Sequence, residues 1–295
     1  MRTEIGTVAI VGGTHGNEIT GPHLLRHWRR QPAEITRASF ETRLHLGNPK
    51  AFQANRRFID EDLNRSFASA TLAADEPSSY EAARAVVLNQ RLGPRGSPAT
   101  DFLIDLHTST SHCGAMLIVL SDDAFSLRLA AYVASRIDVA RVHYIPGQDQ
   151  DPPYLGSVAR HCLGVEIGPV PQGVLRYDAF ERSRQVVLAA LDFVHESNLG
   201  APIPLPRTLE VYRFRETVAL PGEGPYKDAI VHESLQDRDY APLHPGDPLL
   251  RRLDGSVINY DGDGVRHPVF VNEAAYYANG IAMMLTSLET LVVPD

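Results

Sequence analysis

Between Asn198 and Pro206 the chain reads NLGAPIPLP, and three prolines in five positions rule out a regular helix or strand there. Each proline removes a backbone donor, fixes its own φ and restricts the residue before it. The stretch is expected to separate two domains, residues 1–200 and 207–295, whose sequence rhythms differ.

The first part alternates short apolar runs with helical ones. Strands are expected at Thr7–Val11, Thr42–Leu46, Phe102–Leu106, Met116–Leu120, Val139–Tyr144 and Gly164–Ile167. Helices fit Gly21–Arg30, Tyr80–Leu92, Phe125–Arg136 and Tyr177–Glu196. Buried strands flanked by helices imply an α/β fold with a mixed, mostly parallel sheet. After the prolines come shorter strand-like runs at Thr208–Ala219, Ile230–Val231, Leu249–Leu253, Val257–Ile258 and Val269–Val271, broken by Gly, Pro and Asp. These point to a smaller β-rich C-terminal domain.

Composition narrows the class of function. A formal net charge of -8 argues against nucleic acid or an anionic membrane as partner, since both demand concentrated Lys and Arg. No apolar run is long enough for a membrane span, and the segment MRTEIGTVAIVGG lacks the apolar core of a signal peptide, so a cytoplasmic location is expected. Cys113 and Cys162 are the only cysteines and form no CxxC, so any metal should be held by histidine and carboxylate. Base rates favour a homodimer.

Two segments supply such ligands. Gly12-Gly-Thr-His-Gly-Asn-Glu18 places His15 and Glu18 three positions apart, just after a buried strand, and strand ends are where open α/β sheets place ligands. Asp105-Leu-His107 closes a second apolar strand, FLIDL, and brings His107 to the same sheet edge. Two histidines and a glutamate with an open fourth position make an established catalytic zinc set, so one Zn²⁺ per chain is expected. Asp105 is placed to orient a ligand from behind. Glu166, inside the apolar run GVEIG, has no stabilising reason to be there unless it is paired or functional. His112 follows DLHTSTS and is expected near the site, whereas the remaining histidines, including His143 and His161, read as surface or core residues.

Six ordered blocks, GGTHGNE, GNPKAFQANRRFIDEDLNRSF, DLHTSTS, GVEIGPVPQGVLR, PLHPGDP and PVFVNEAAYY, together resemble the aspartoacylase and aminoacylase-3 family. The resemblance implies a zinc carboxypeptidase-like catalytic domain, with the C-terminal β-rich domain covering the site. It implies that His15, Glu18 and His107 hold zinc, that Glu166 activates the zinc-bound water and then protonates the leaving amine, and that Arg57 stabilises the oxyanion. Asn64 and Arg65 would grip the α-carboxylate of the substrate, and Tyr276 would contact it from the second domain. The implied activity is hydrolysis of N-acyl-L-aspartate to a carboxylate and L-aspartate. Its alternatives are deacylation of neutral or aromatic N-acyl amino acids, desuccinylation of a succinyl amino acid, and zinc-retaining binding without turnover. One position departs from the family: in Gly156-Ser-Val-Ala-Arg160, Gly156 stands where aspartoacylases carry the arginine that binds the aspartate side chain.

Overall fold

The computed structural model describes residues 4–147 and 150–295. The first region contains β1 (Thr7–Gly12), α1 (Thr20–Arg30), β2 (Glu41–Leu46), α2 (Pro49–Ala54), α3 (Ser69–Leu72) and α4 (Tyr80–Leu92). It continues through β3 (Phe102–Thr108), β4 (Gly114–Val119), α5 (Ala124–Ala134), β5 (Ala140–Tyr144), β6 (His161–Gly168) and α6 (Tyr177–Asn198). Beyond the prolines lie β7 (Thr208–Ala219), β8 (Ala229–Val231), β9 (Pro248–Arg252), β10 (Val257–Asn259), β11 (His267–Val269), α7 (Ala274–Tyr277) and β12 (Ile281–Val292).

Nine strands form one sheet in the order β11-β12-β7-β5-β4-β6-β3-β1-β2. Pairing is parallel from β2 through β1 and β3 to β6 and again across β4, β5 and β7; β4 runs antiparallel to β6. The mixed, mostly parallel α/β sheet expected from the alternating pattern is therefore present. Every residue of β3 is buried, as helices on both faces of such a sheet require. Trp28, Leu24 and Leu25 of α1 and Val187, Leu191 and Phe193 of α6 pack in the largest core, against sheet residues such as Ile10 and Ile104.

The proline stretch has no regular structure, but it does not interrupt the sheet: β7 pairs in parallel with β5, Val142 opposite Val211. The C-terminal region adds an antiparallel flank, β7-β12-β11, and a separate three-stranded sheet, β10-β9-β8. It also has its own core, centred on Val231, Leu250, Met283 and Leu285. The long strand β12 is the element that periodicity does not announce. The run expected at Val269–Val271 ends earlier, because Phe270 and Asn272 adopt left-handed backbone conformations that a strand cannot continue through.

Candidate active site

Parallel pairing of β1 with β3, Gly12 opposite Leu106, brings the GTHGNE turn beside the end of β3. The turn closes tightly. Gly13 has φ +73°, and a Cβ on Gly16 would lie 2.1 Å from the carbonyl carbon of Ala51. Its backbone is tied down on both sides, with Gly16 N–H donating to the Arg57 carbonyl at 3.1 Å and Glu18 N–H to the His15 carbonyl at 3.2 Å.

His15, Glu18 and His107 converge at this point, all buried, with one ligand atom from each lying within 4.8 Å of the others. His15 Nδ1 is 2.7 Å from Glu18 Oε1, and His107 Nδ1 is 2.9 Å from Glu18 Oε2. The two Nδ1 atoms face each other at 3.2 Å. At the far side of each ring a carboxylate is waiting: Asp62 Oδ1 lies 2.9 Å from His15 Nε2, and Asp105 Oδ2 lies 2.8 Å from His107 Nε2. A carboxylate only accepts, so Asp62 and Asp105 draw a proton to each Nε2 and leave each Nδ1 able to turn a lone pair toward a shared cation. Two facing lone pairs beside a carboxylate repel unless a cation lies among them. The donor set and the acidic partners behind it thus fit a divalent metal.

The surrounding carboxylates favour positive charge at this point. Burial alone would raise the Glu18 carboxyl, but His15 and His107 outweigh it and hold the group well below the usual carboxylate range. Burial would lower the His107 imidazole, and Asp105 and Glu18 overcome it, holding the ring well above its ordinary value. Asp62 is held down against its burial by His15 and Arg57.

Glu166 sits beside the cluster by register, opposite His107 on β3 and Met116 on β4. Burial, with Glu18 and Glu273 adding repulsion, pushes its carboxyl up to about 8 against the pull of His107 and Arg57. Arg57 donates from Nη1 to Glu18 Oε1 at 3.1 Å and from Nη2 to Asp62 Oδ2 at 3.0 Å. Asn64 accepts from the Leu155 N–H at 2.8 Å, and the Arg65 guanidinium lies 5.0 Å from the ring centroid of Tyr154. Tyr276 on α7 meets Phe270 edge to face, and burial beside Glu166 pushes its phenol well up.

One cavity of ≈ 350 Å³ unites His15, Glu18, Arg57, Asn64, Arg65, His107, Glu166 and Tyr276, the full set singled out in the sequence, and Gly156 lines it too. Two expectations about histidines are corrected. His112 is exposed and faces Asp237 at 3.3 Å, outside the cavity lining, whereas His143 and His161 line the cavity. A chain of single-residue contexts could not show this, because β5 and β6 are brought together only by the sheet order.

Three further carboxylates organise the site. Asp62 lies in the charged run DEDLNR, beside Asn64 and Arg65, where nothing in the local pattern separates it from Asp60 and Glu61. Glu81, fully buried on α4, accepts backbone N–H groups of Ile59 at 2.8 Å and Asp60 at 3.0 Å, and the Asn48 amide at 2.9 Å. Glu273, also buried, caps α7 and accepts from Ser109 Oγ and from the Thr110 N–H at 2.7 Å. No sequence signal separates Glu81 from an ordinary surface glutamate of an amphipathic helix.

Fold and cluster define the class: an α/β protein with a candidate metal centre at its strand ends and a β-rich C-terminal region that contributes residues to its cavity. The chain belongs to the succinylglutamate desuccinylase/aspartoacylase family, whose catalytic-domain model matches residues 4–194, while an AstE/AspA barrel-sandwich hybrid domain matches 207–288. A probable aspartoacylase of Nostoc sp. is 40% identical over 290 residues, covering 98% of each chain. A human protein named N-acyl-aromatic-L-amino acid amidohydrolase (carboxylate-forming) is 41% identical over 302 residues, covering 99% of this chain and 94% of its own. The crystal structure of murine aminoacylase 3 superposes with a TM-score of 0.93 at 37% identity, covering 100% of this chain and 99% of that one.

Proposed function

We propose that this protein is a zinc-dependent N-acyl amino acid amidohydrolase, with His15, Glu18 and His107 as metal ligands. The observation that carries the proposal is the pair of histidine Nδ1 atoms facing each other at 3.2 Å across Glu18, each ring backed by an aspartate. Zinc in such a site acidifies water and polarises a carbonyl oxygen. The remaining work falls to this chain's residues. Water adds to the amide carbonyl carbon while Glu166 takes its proton; the C–N bond then breaks as Glu166 returns that proton to the amine nitrogen. A carboxyl pushed up to about 8 is suited to holding that proton between the two transfers. Arg57 supplies positive charge where the oxyanion develops, and Arg65 with Asn64 binds the α-carboxylate, for which a planar guanidinium offers paired donors. Tyr276 closes the cavity from α7.

Neutral and aromatic amino acids fit the cavity better than aspartate does. Position 156 has no room for the aspartate-binding arginine, because a Cβ there would lie 2.4 Å from Cys162 Sγ and 2.9 Å from its Cβ. Arg160 also lines the cavity, but its guanidinium is engaged with Asp101 Oδ1 at 3.3 Å and the Glu4 carbonyl at 3.0 Å. The wall beyond Glu166 is otherwise largely apolar, with Ile118, Ile145, Phe270 and Met284.

The test combines metal analysis with turnover. Protein purified without chelator should hold close to one zinc per chain. Wild type should hydrolyse N-acetyl-tyrosine faster than N-acetyl-aspartate or succinyl-glutamate, and Glu166→Ala should lose that activity by about 10³-fold or more. Absence of zinc overturns the metal assignment, and equal rates for wild type and Glu166→Ala overturn the enzymatic one.

A further inference from the structure

Two non-glycine residues where β11 ends, Phe270 and Asn272, adopt left-handed backbone at φ 54° and 55°. For an aromatic residue that region is an outlier, and such outliers persist only where the surroundings hold them. The register explains their place. Val269 lies opposite Met284, while the Asn272 N–H donates to the Ala282 carbonyl at 3.0 Å, so three steps on one segment match two on β12. The extra residue makes a β-bulge, a device that re-aims side chains beside active sites and whose left-handed position usually belongs to glycine. Here its two buried residues part company. Phe270 packs with Cys113 and Met116 and lines the cavity, whereas Val271 joins Leu250 and Met283 in the C-terminal core.

A bulge leaves backbone donors that the ladder does not pair, and here a carboxylate takes one. Asp239 Oδ2 accepts the Phe270 N–H at 2.8 Å. The Val271 N–H and the Ser111 hydroxyl also favour the charged form of this carboxyl, against its burial. Asp239 is itself held in place through its neighbour. Tyr240 donates its N–H to the Pro268 carbonyl at 2.7 Å and its O–H to the Cys113 carbonyl at 3.0 Å. His267 Nδ1 donates to the Tyr240 carbonyl at 2.9 Å. The loop carrying Asp239 is thus pinned to β11 and to the residue before β4. On the other side of the bulge, Glu273 caps α7, and α7 carries Tyr276, whose ring meets Phe270 edge to face with centroids 5.4 Å apart. Both rings line the cavity.

We propose that Asp239 is a positioning residue for substrate binding: by holding the Phe270 N–H it fixes the bulge, and the bulge sets Phe270 and, through α7, Tyr276 against the bound substrate. Asp239 is not among the residues lining the cavity and acts through the backbone of the segment it holds. Without its acceptor a buried donor is stranded, and the ladder recovers by sliding one residue toward regular pairing. That slip carries Phe270 off the cavity wall and moves Tyr276 with it. The candidate metal ligands lie on β3 and in the turn after β1, and they have no part in this ladder.

The inference rests on the deacylase reading, so one readout is independent of turnover. Amide hydrogen exchange on the wild-type protein should show the Phe270 N–H protected to the level of the β11–β12 ladder. Free exchange there overturns the proposal whatever the variants do. Kinetics with N-acetyl-tyrosine then compare Asp239→Ala, Asp239→Asn and Leu250→Ala, the last opening a cavity in the same C-terminal core away from the bulge. Asp239→Ala should raise KM roughly 5–10-fold while kcat changes less than about 2-fold, with zinc content at the wild-type level. Asp239→Asn, which keeps an acceptor oxygen, should return most of the KM. Leu250→Ala should lose stability in a urea melt yet keep the wild-type KM. A wild-type KM in Asp239→Ala, or an equal rise in Leu250→Ala, overturns the role of Asp239 alone. Failure of the wild type to turn over any N-acyl amino acid overturns the deacylase reading instead.

Discussion

Glu81 accepts the backbone N–H of Ile59 at 2.8 Å, so a carboxylate outside the candidate metal set fixes the segment that carries Arg57 and Asp62. It also receives Asp60 N–H at 3.0 Å and lies wholly inside the protein. Charge-assisted bonds of this kind are about twice as strong as neutral ones, and Glu81 has no exposure to solvent.

Truncation of Glu81 should therefore reach the site without touching it. Glu81→Ala strands buried N–H groups and is expected to cost at least about 2 kcal/mol in a urea melt. Glu81→Gln, which retains the shape and one acceptor oxygen, should lose less stability yet still lower kcat/KM by roughly 10-fold, through displacement of Arg57. A Glu81→Gln protein with wild-type kinetics would remove Glu81 from the positioning of that loop.

The aspartates behind the histidines make a second case. With Asp62 2.9 Å from His15 Nε2 and Asp105 2.8 Å from His107 Nε2, each fixes a tautomer and a ring orientation. Asp105→Asn and Asp62→Asn should each weaken zinc binding by about 10–100-fold in a competition titration with a chromogenic chelator. Among the described residues, the side chains hydrogen-bonded to Asp105 are Thr14 and His107, so its effect should be the more specific. Asp62 also pairs with Arg57, and its loss should depress turnover as well.

Glu273 ties the C-terminal region to the loop after His107, through Ser109 Oγ and the Thr110 N–H at 2.7 Å. Its neighbour three residues on is Tyr276, on the short helix it caps. Glu273→Gln should raise KM for N-acyl substrates several-fold more than it lowers kcat, because the closing element is loosened while His15, Glu18 and His107 stay in place. Equal changes in both parameters would point to disruption of the metal loop instead.

Asp239 gives a prediction in pH. Its Oδ2 accepts the Phe270 N–H at 2.8 Å, and burial pushes the carboxyl up to about 7 against the hydrogen bonds it receives. A carboxyl raised in the folded state binds a proton there that the unfolded chain has released. Its contribution to stability is thus full below the ordinary value of 3.8 and is lost as pH rises toward about 7. The difference in unfolding free energy, wild type minus Asp239→Asn, should fall across that window at up to about 1.4 kcal/mol per pH unit. A flat difference would show that Asp239 keeps its ordinary titration in the folded protein.

How much of this was legible in the sequence depends on distance along the chain. His15 and Glu18 share one turn, and the apolar run before His107 announces a buried strand, so both ligand segments could be read from local pattern. The same holds for the main helices: α4 begins and ends where periodicity puts it, Tyr80 to Leu92. Glu166 stood out as a charge in an apolar run. Less was visible where the C-terminal region joins the large sheet. The two halves of strand β12 differ, buried around Ala282–Met283 in the C-terminal core and alternating half-buried with exposed toward Val292, although it pairs with β7 along its whole length. A pattern that changes midway carries no single period to detect.

By itself, then, the sequence determined the kind of fold and the chemistry that the strand ends could hold, since hydrophobic alternation and ligand spacing are properties of neighbours. Tertiary structure alone decided which carboxylates stand behind the histidines, that Glu81 and Glu273 fasten the loops, and that His143 faces the cavity. Those partners lie far apart in the chain; Asp62 is 47 residues from His15, and Glu273 is 163 residues from Thr110. Sheet order and register, set by burial of whole faces rather than by any local motif, bring them within hydrogen-bonding distance.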